Sequence, residues 1–223
     1  MRIMLILALL TTTLFAREVK LTKSNLVHIR GRIDFTSMQK AQQDLLKQHV
    51  KRGSKDYTIY LFIDSPGGSI SAGNAFIAYA KTFRDVKTIC MFCASMAHAI
   101  SQALPGERLG TDGNIMMAHR AKGTVSGQFN DGEMERRLAL WKRIVTRMEQ
   151  TNANRIGITL KDYQKRVKDE YWTHGVDSVV QNVLDDIATV SCSDKLMTSS
   201  RTEKIRSIFG ERIIVIPLCP LMI

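Results

Sequence analysis

The stretch LFIDSPGGSIS, residues 61–71, decides how this chain is read. YTIYLFID, residues 57–64, is rich in β-branched and aromatic residues and predicts a strand. It runs without a spacer into Ser65-Pro66-Gly67-Gly68, a strong turn signal. Backbone at two adjacent glycines can take φ > 0 and can approach a ligand closely. Residues 71–83, SAGNAFIAYAKTF, then read as an apolar helix. A strand passing through a tight turn into a helix is the repeating unit of an α/β fold.

Working outward, the same unit recurs. NLVHIRGRI, residues 25–33, reads as a strand leaving at a turn. Residues 36–50 show helical spacing at Met38, Ala41, Leu45 and Leu46, with Ser37 as a possible cap. VKTICMF, residues 86–92, is a near-continuous apolar run suited to a strand buried on both faces of a parallel sheet. It leads into a helix, AHAISQALP, that ends at Pro105. GERLGTDGNIMMAH, residues 106–119, contains a turn and another strand. The alternation predicts an α/β fold with right-handed crossovers.

Beyond His119 the texture changes. AKGTVSGQF, residues 121–129, is glycine-interrupted and extended. Residues 131–153 form the strongest helical pattern of the chain, with Met134, Leu138, Trp141, Val145 and Met148 at 4, 3, 4, 3 spacing. Leu140 and Ile144 add a second stripe. Two stripes fit either an oligomer interface or a helix packed between two layers of its own subunit. A further helix is expected near 159–170 and a strand at DIATV, residues 186–190. From about 194 the chain is polar and basic, then apolar with prolines, and reads as a poorly ordered tail.

The 223 residues suggest one domain, and an apolar fraction of 44% is ordinary for a globular core. The formal charge of +11 is scattered, densest at Lys51/Arg52/Lys55 and Lys161/Lys165/Arg166/Lys168. No zinc knuckle, basic heptad region or aromatic stacking motif accompanies it. A solvated basic surface is therefore expected, not a nucleic-acid site. Residues 1–16 have the form of a secretory signal peptide. A short basic n-region precedes an apolar run of about 12 residues, and Ala16 is the last residue expected to be removed. The reading is an exported protein, periplasmic or secreted, with a mature domain over 17–193 and a tail over 194–223.

Outside the cytoplasm a disulfide is possible among Cys90, Cys93, Cys192 and Cys219. Cys90 and Cys93 have C-x-x-C spacing, which as a redox motif normally opens a helix. Here the pair ends a β-rich run, so both read as apolar core residues. No second pair matches it, so no metal is expected.

Ser95, in ICMFCASMAHAIS (residues 89–101), sits between the apolar strand and the helix that follows. It either caps that helix or presents its hydroxyl as a nucleophile. The free N–H groups of a helix start could hold an oxyanion, and a Gly-Gly N–H could supply a second donor. Of His28, His49, His98, His119 and His174, His119 is the base candidate. It ends a strand, where a parallel sheet gathers its ligand-binding groups. His98 reads as packed.

LFIDSPGGSISAG, TICMFCASMAHAIS and GERLGTDGNIMMAH, in this order and at these gaps, resemble the proteolytic subunit of Clp-type serine peptidases. The resemblance runs from about 27 to 187. It implies a crotonase-like βαβ spiral with a parallel sheet and a handle helix for ring assembly. It also implies a serine endopeptidase with Ser95 as nucleophile, His119 as base and Gly68 with Met96 as oxyanion donors. Substrate would add as a strand at about 121–128, and the helix at 131–153 would join stacked rings. No cofactor is implied. The expected partners are a peptide or unfolded protein substrate and further copies of the chain. An exported protein would have no ATP, so an ATPase partner is not expected.

The resemblance breaks at one point. The family's acid falls on Arg166, which cannot orient a neutral histidine. Asp162, Asp169 and Glu170 lie nearby, and Asp169 is the preferred substitute, one turn along the helix. A Ser95–His119 dyad is a second option. Loss of activity, leaving a ring-forming peptide-binding scaffold, is a third. A signal-peptide-peptidase-like Ser–Lys hydrolase using Lys122, or a crotonase-like acyl-CoA enzyme, fits the motifs less well.

Overall fold

The computed structural model of the chain describes residues 17–53, 58–123, 127–207 and 210–222. In chain order the first elements are β1 (Arg17–Leu21), β2 (Leu26–Arg30), α1 (Phe35–Arg52), β3 (Ile59–Ser65), α2 (Ile70–Ala80), β4 (Val86–Ala94), α3 (Met96–Ala103) and β5 (Arg108–Ala118). Then follow α4 (Asp131–Ile156), α5 (Leu160–Arg166), β6 (Tyr171–His174), α6 (Asp177–Val180), β7 (Asp186–Cys192), α7 (Asp194–Met197), β8 (Ser200–Ser207) and β9 (Gly210–Pro217). The expected signal segment, residues 1–16, lies outside the described residues.

One sheet runs in the order β1-β7-β5-β4-β3-β2, with every neighbouring pair parallel. The added strand β6 lies antiparallel on β5. This is the mostly parallel α/β spiral expected from the sequence. Its local signals are also met. Asp34 caps α1 in a capping box whose reciprocal partner is Ser37. Ser37 is thus the third helical residue and not the cap. Helix α4 closes on Gly157, which takes the left-handed conformation at φ 83°.

Both sheet faces are covered, which is why β3 and β4 read as continuous apolar runs. One face carries the main core, with Met38 and Leu45 of α1, Phe76 of α2 and Ile100 of α3 against Ile29, Ile63 and Cys90. The other carries a smaller core of Val19, Leu21, Phe62, Ile89, Leu109 and Leu196, closed by Cys219.

Arg108 fixes the start of β5. Its side chain is buried, pairs with Asp185 just before β7, and donates to Gln102 of α3 at 2.6 Å. Burial pushes the Asp185 carboxyl up, but the hydrogen bonds and charge of Arg108, with Arg155, outweigh it and hold the group below the usual carboxylate range.

Two expectations need correction. Cys90 and Cys93 are fully buried, as core residues should be, but they are also disulfide-bonded. Residues three apart on a regular strand face opposite sides. Here Ile63 pairs with Cys90 and Asp64 with Phe92, so Met91 is an extra residue in β4. That bulge turns both cysteines to one side, with Cα atoms 5.7 Å apart.

The tail from 194 is not loose. Strands β8 and β9 form a two-stranded antiparallel hairpin. The chain then returns to the sheet, where Cys219 and Pro220 are buried and Cys219 is bridged to Cys192. Burial, with the charge of Arg201, pushes the His28 imidazole down to about 4. It is therefore neutral at pH 7, and its Nε2, 3.1 Å from the Leu218 carbonyl oxygen, is placed to donate to it. No periodicity in the sequence announces this docking, because it is held by a disulfide, by the His28–Leu218 and Lys40–Glu203 contacts and by Leu196 and Leu218 at the smaller core, all between residues far apart in sequence. Cys219→Ser should cost about 3.5 kcal/mol, the loop-closure value for a bridge of this span. Chemical denaturation would measure the loss, and limited proteolysis should cut the released hairpin first.

Candidate active site

The site is built where β4 passes into α3. Ser95 sits at that junction with φ 56° and ψ −117°, a conformation that few non-glycine residues adopt. Holding it there costs about 1–3 kcal/mol. A capping serine would turn its hydroxyl to the first N–H groups of the helix. Ser95 makes no such bond. Its Oγ lies instead 2.8 Å from His119 Nε2. The cap reading is thereby excluded. His119 arrives from the end of β5, and the Ser95 N–H donates to the Met117 carbonyl at 2.8 Å, which locks the two segments together.

The Ser65–Gly68 loop packs on the same junction. Ser65 Oγ accepts from the Gly67 N–H at 3.1 Å and donates to the Gly31 carbonyl. Gly67 has φ 91°, and a Cβ there would lie 2.6 Å from the Ala94 oxygen, 2.7 Å from Ser95 Cβ and 2.8 Å from the Met96 nitrogen. A Cβ on Gly68 would meet the Ile33 oxygen at 2.2 Å. No side chain fits at either place. The Gly68 and Met96 N–H groups carry no hydrogen bond among the described residues, so two donors stand free beside Ser95.

A cavity of about 170 Å³ opens beside these groups. Gly68, Ser95, Met96 and His119 bound it on one side; Met148, Glu149 and Asn152 of α4 and Tyr163 of α5 bound it on another. The α4 residues were missed in the sequence. Glu149, Asn152 and Ile156 continue the helical spacing, but the first two are polar at buried positions, a signal only visible once polar residues are allowed on the inward face. His98 is fully buried and lines the cavity. Burial, and secondarily the charge of Arg108, pushes it down to about 3, so it is neutral. Lys122 also lines the cavity, yet the Ser95 hydroxyl is engaged by His119.

Asp169 does not join the site. His119 Nδ1 is buried with no hydrogen-bond partner among the described residues. The one-turn shift that was to carry Asp169 to it needs a continuing helix, and α5 ends at Arg166. Asp169 is exposed beyond that end. Asp162 instead accepts from the Thr159 hydroxyl at the start of α5, and Glu170 accepts from the Trp172 indole. Arg166, at the acid's position, donates to the Tyr171 hydroxyl at 3.1 Å and lies over its ring. Of the expected substrate segment 121–128, residues 124–126 lie outside the described residues. Gly123 packs against the Trp141 indole, where a Cβ would come within 2.9 Å.

A serine hydroxyl on a strained strand-to-helix turn, touching an imidazole, with two N–H groups of the same cavity lining unbonded among the described residues, fits a serine hydrolase. The comparison with known families narrows the class. The family model described as Clp protease matches residues 11–191, and the chain belongs to that family of serine peptidases. Among its relatives are proteins named ATP-dependent Clp protease proteolytic subunit. Those of Streptococcus pyogenes serotype M5 (strain Manfredo) and Streptococcus equi subsp. equi (strain 4047) are each 27% identical over 171 residues, covering 75% of this chain and 86% of theirs.

Gly67→Ala tests the packing of the loop on the junction. It should lower stability by about 2 kcal/mol, from the added strain. By moving the Met96 N–H it should also slow fluorophosphonate labelling at least tenfold. Thermal melts and labelling rates at a temperature where the variant is folded would separate the two effects.

Proposed function

We propose that this protein is a serine endopeptidase that cleaves peptide bonds through an acyl-enzyme. Ser95 Oγ attacks the substrate carbonyl as His119 Nε2 takes its proton. The carbonyl oxygen gains negative charge and is held by the Gly68 and Met96 N–H groups. His119 returns the proton to the departing amine. Water then attacks the ester by the same route and frees Ser95. For Nε2 to accept, the histidine proton must sit on Nδ1. The reading is carried by one observation, the 2.8 Å contact from an uncapped, strained Ser95 to His119.

Because no carboxylate among the described residues holds Nδ1, the site is read as a dyad. In triads, loss of the acid's role costs about 10⁴ in kcat, so slow turnover is expected. The same feature favours a second reading, a peptide-binding scaffold without turnover. A fluorophosphonate probe separates the two. The folded protein should be labelled, Ser95→Ala should abolish labelling, and His119→Ala should slow it by about 10²–10⁴-fold. Folded protein that takes no label would leave the scaffold reading.

The assembly is proposed to be a homo-oligomeric ring, with α4 as the contact between rings. In its first half Met134, Leu138, Leu140 and Ile144 are between 36% and 51% exposed, so the chain's own layers do not cover these stripes. Export, and the ATP-independent action that export would require, is carried only by the signal-like residues 1–16. The relatives are named as ATP-dependent. Protein recovered from its native cells should begin at Arg17 by mass spectrometry, run as an oligomer in light scattering, and cleave peptides without ATP. A monomer, an intact residue 1, or cleavage only with an ATPase would remove the corresponding part.

A further inference from the structure

The cavity beside Ser95 has an unusual floor for a site that takes a peptide side chain. Glu149 is buried, and the one side-chain partner of its carboxylate is the Gln164 amide, which donates at 2.8 Å; no cation pairs with it among the described residues. Asn152 is 3% exposed. Its amide nitrogen donates to the Tyr163 hydroxyl at 2.9 Å, while its Oδ1 is buried without a partner. His98 is 1% exposed, and neither ring nitrogen has a partner. Being neutral, it offers one nitrogen as an acceptor.

Buried polar atoms without partners are costly, and a buried carboxylate facing no cation is more so. Three residues with acceptor atoms, Glu149, Asn152 and His98, therefore line one small cavity with few partners among the described residues. The walls are different in kind. Ile70, Ala99 and Met148 line the same cavity. A lining that combines apolar residues with acceptors, one of them a carboxylate, matches a side chain with an aliphatic stem and a cationic tip. Lys122 lies at the cavity too, but it is exposed and so does not fill the floor.

The position defines which substrate residue enters. Gly68, Ser95 and Met96 border the cavity directly. A carbonyl held by the Gly68 and Met96 N–H groups would point its own residue's side chain there. We propose that this cavity selects lysine or arginine on the N-terminal side of the cleaved bond, with Glu149 as the ion-pair partner and Asn152 and His98 as further acceptors. The inference rests on the proposed hydrolysis at Ser95.

The test uses aminomethylcoumarin peptides that differ only in the residue before the coumarin: Arg, Lys, Leu or Phe. The full-length protein should favour Arg or Lys over Leu by at least tenfold in kcat/KM. In Glu149→Gln the Arg-to-Leu ratio should fall tenfold or more, and in Asn152→Leu it should fall several-fold. A preference for Leu or Phe in a protein that fluorophosphonate labels at Ser95 would overturn this inference alone. So would a ratio unmoved by Glu149→Gln. Absence of both labelling and cleavage would overturn the hydrolase reading and this one with it. The wild-type preference needs no variant, so a misfolded substitution does not shield the proposal.

Discussion

The structure depends on how closely the Gly67 backbone approaches the junction of β4 and α3. A Cβ at Gly67 would sit inside contact distance of Ala94, Ser95 and Met96 at once. Only glycine allows the loop to lie there, and only with the loop there do the Gly68 and Met96 N–H groups flank Ser95. The opposite side of the junction is held by the Ser95 N–H to the Met117 carbonyl. Strand β5 is in turn anchored by the buried Arg108. The strained φ at Ser95 persists because both sides over-determine it.

Much of this was legible in the sequence, for a physical reason. A strand that enters a tight turn and then a helix leaves a strong local signature, and the chain carries it at SPGG and again at CASM. Ser95, Gly68, Met96 and His119 all lie at such junctions, and the fold brings them together. Even the choice between cap and nucleophile, open in the sequence, turns on a local fact, the missing cap bond.

The rest was not legible, because it depends on contacts between elements distant in sequence. Asp169 was selected by extending a helix one turn further than it runs; the end of α5 at Arg166 removes it. Glu149 and Asn152 lie on a helix whose apolar spacing draws attention to other residues. Their importance appears only where α4 crosses α5 and faces Ser95. Cys90 and Cys93 were read correctly as core residues, but their pairing was not, since a C-x-x-C on a strand can close only where a bulge adds a residue, and a bulge has no sequence signature here.

The sequence by itself determined the parallel α/β architecture and the long helix that follows it, because both follow from short-range periodicity and turn chemistry, while the roles of Gly68, Ser95, Met96 and His119 came from the order of three motifs. The tertiary structure decided what those groups face. It left His119 Nδ1 without a partner among the described residues, placed the buried Glu149, Asn152 and His98 around the cavity beside Ser95, and docked the tail through Cys219. The first two are set by burial and the third by a disulfide between residues far apart in sequence, and these are properties of the packed molecule that no short segment carries.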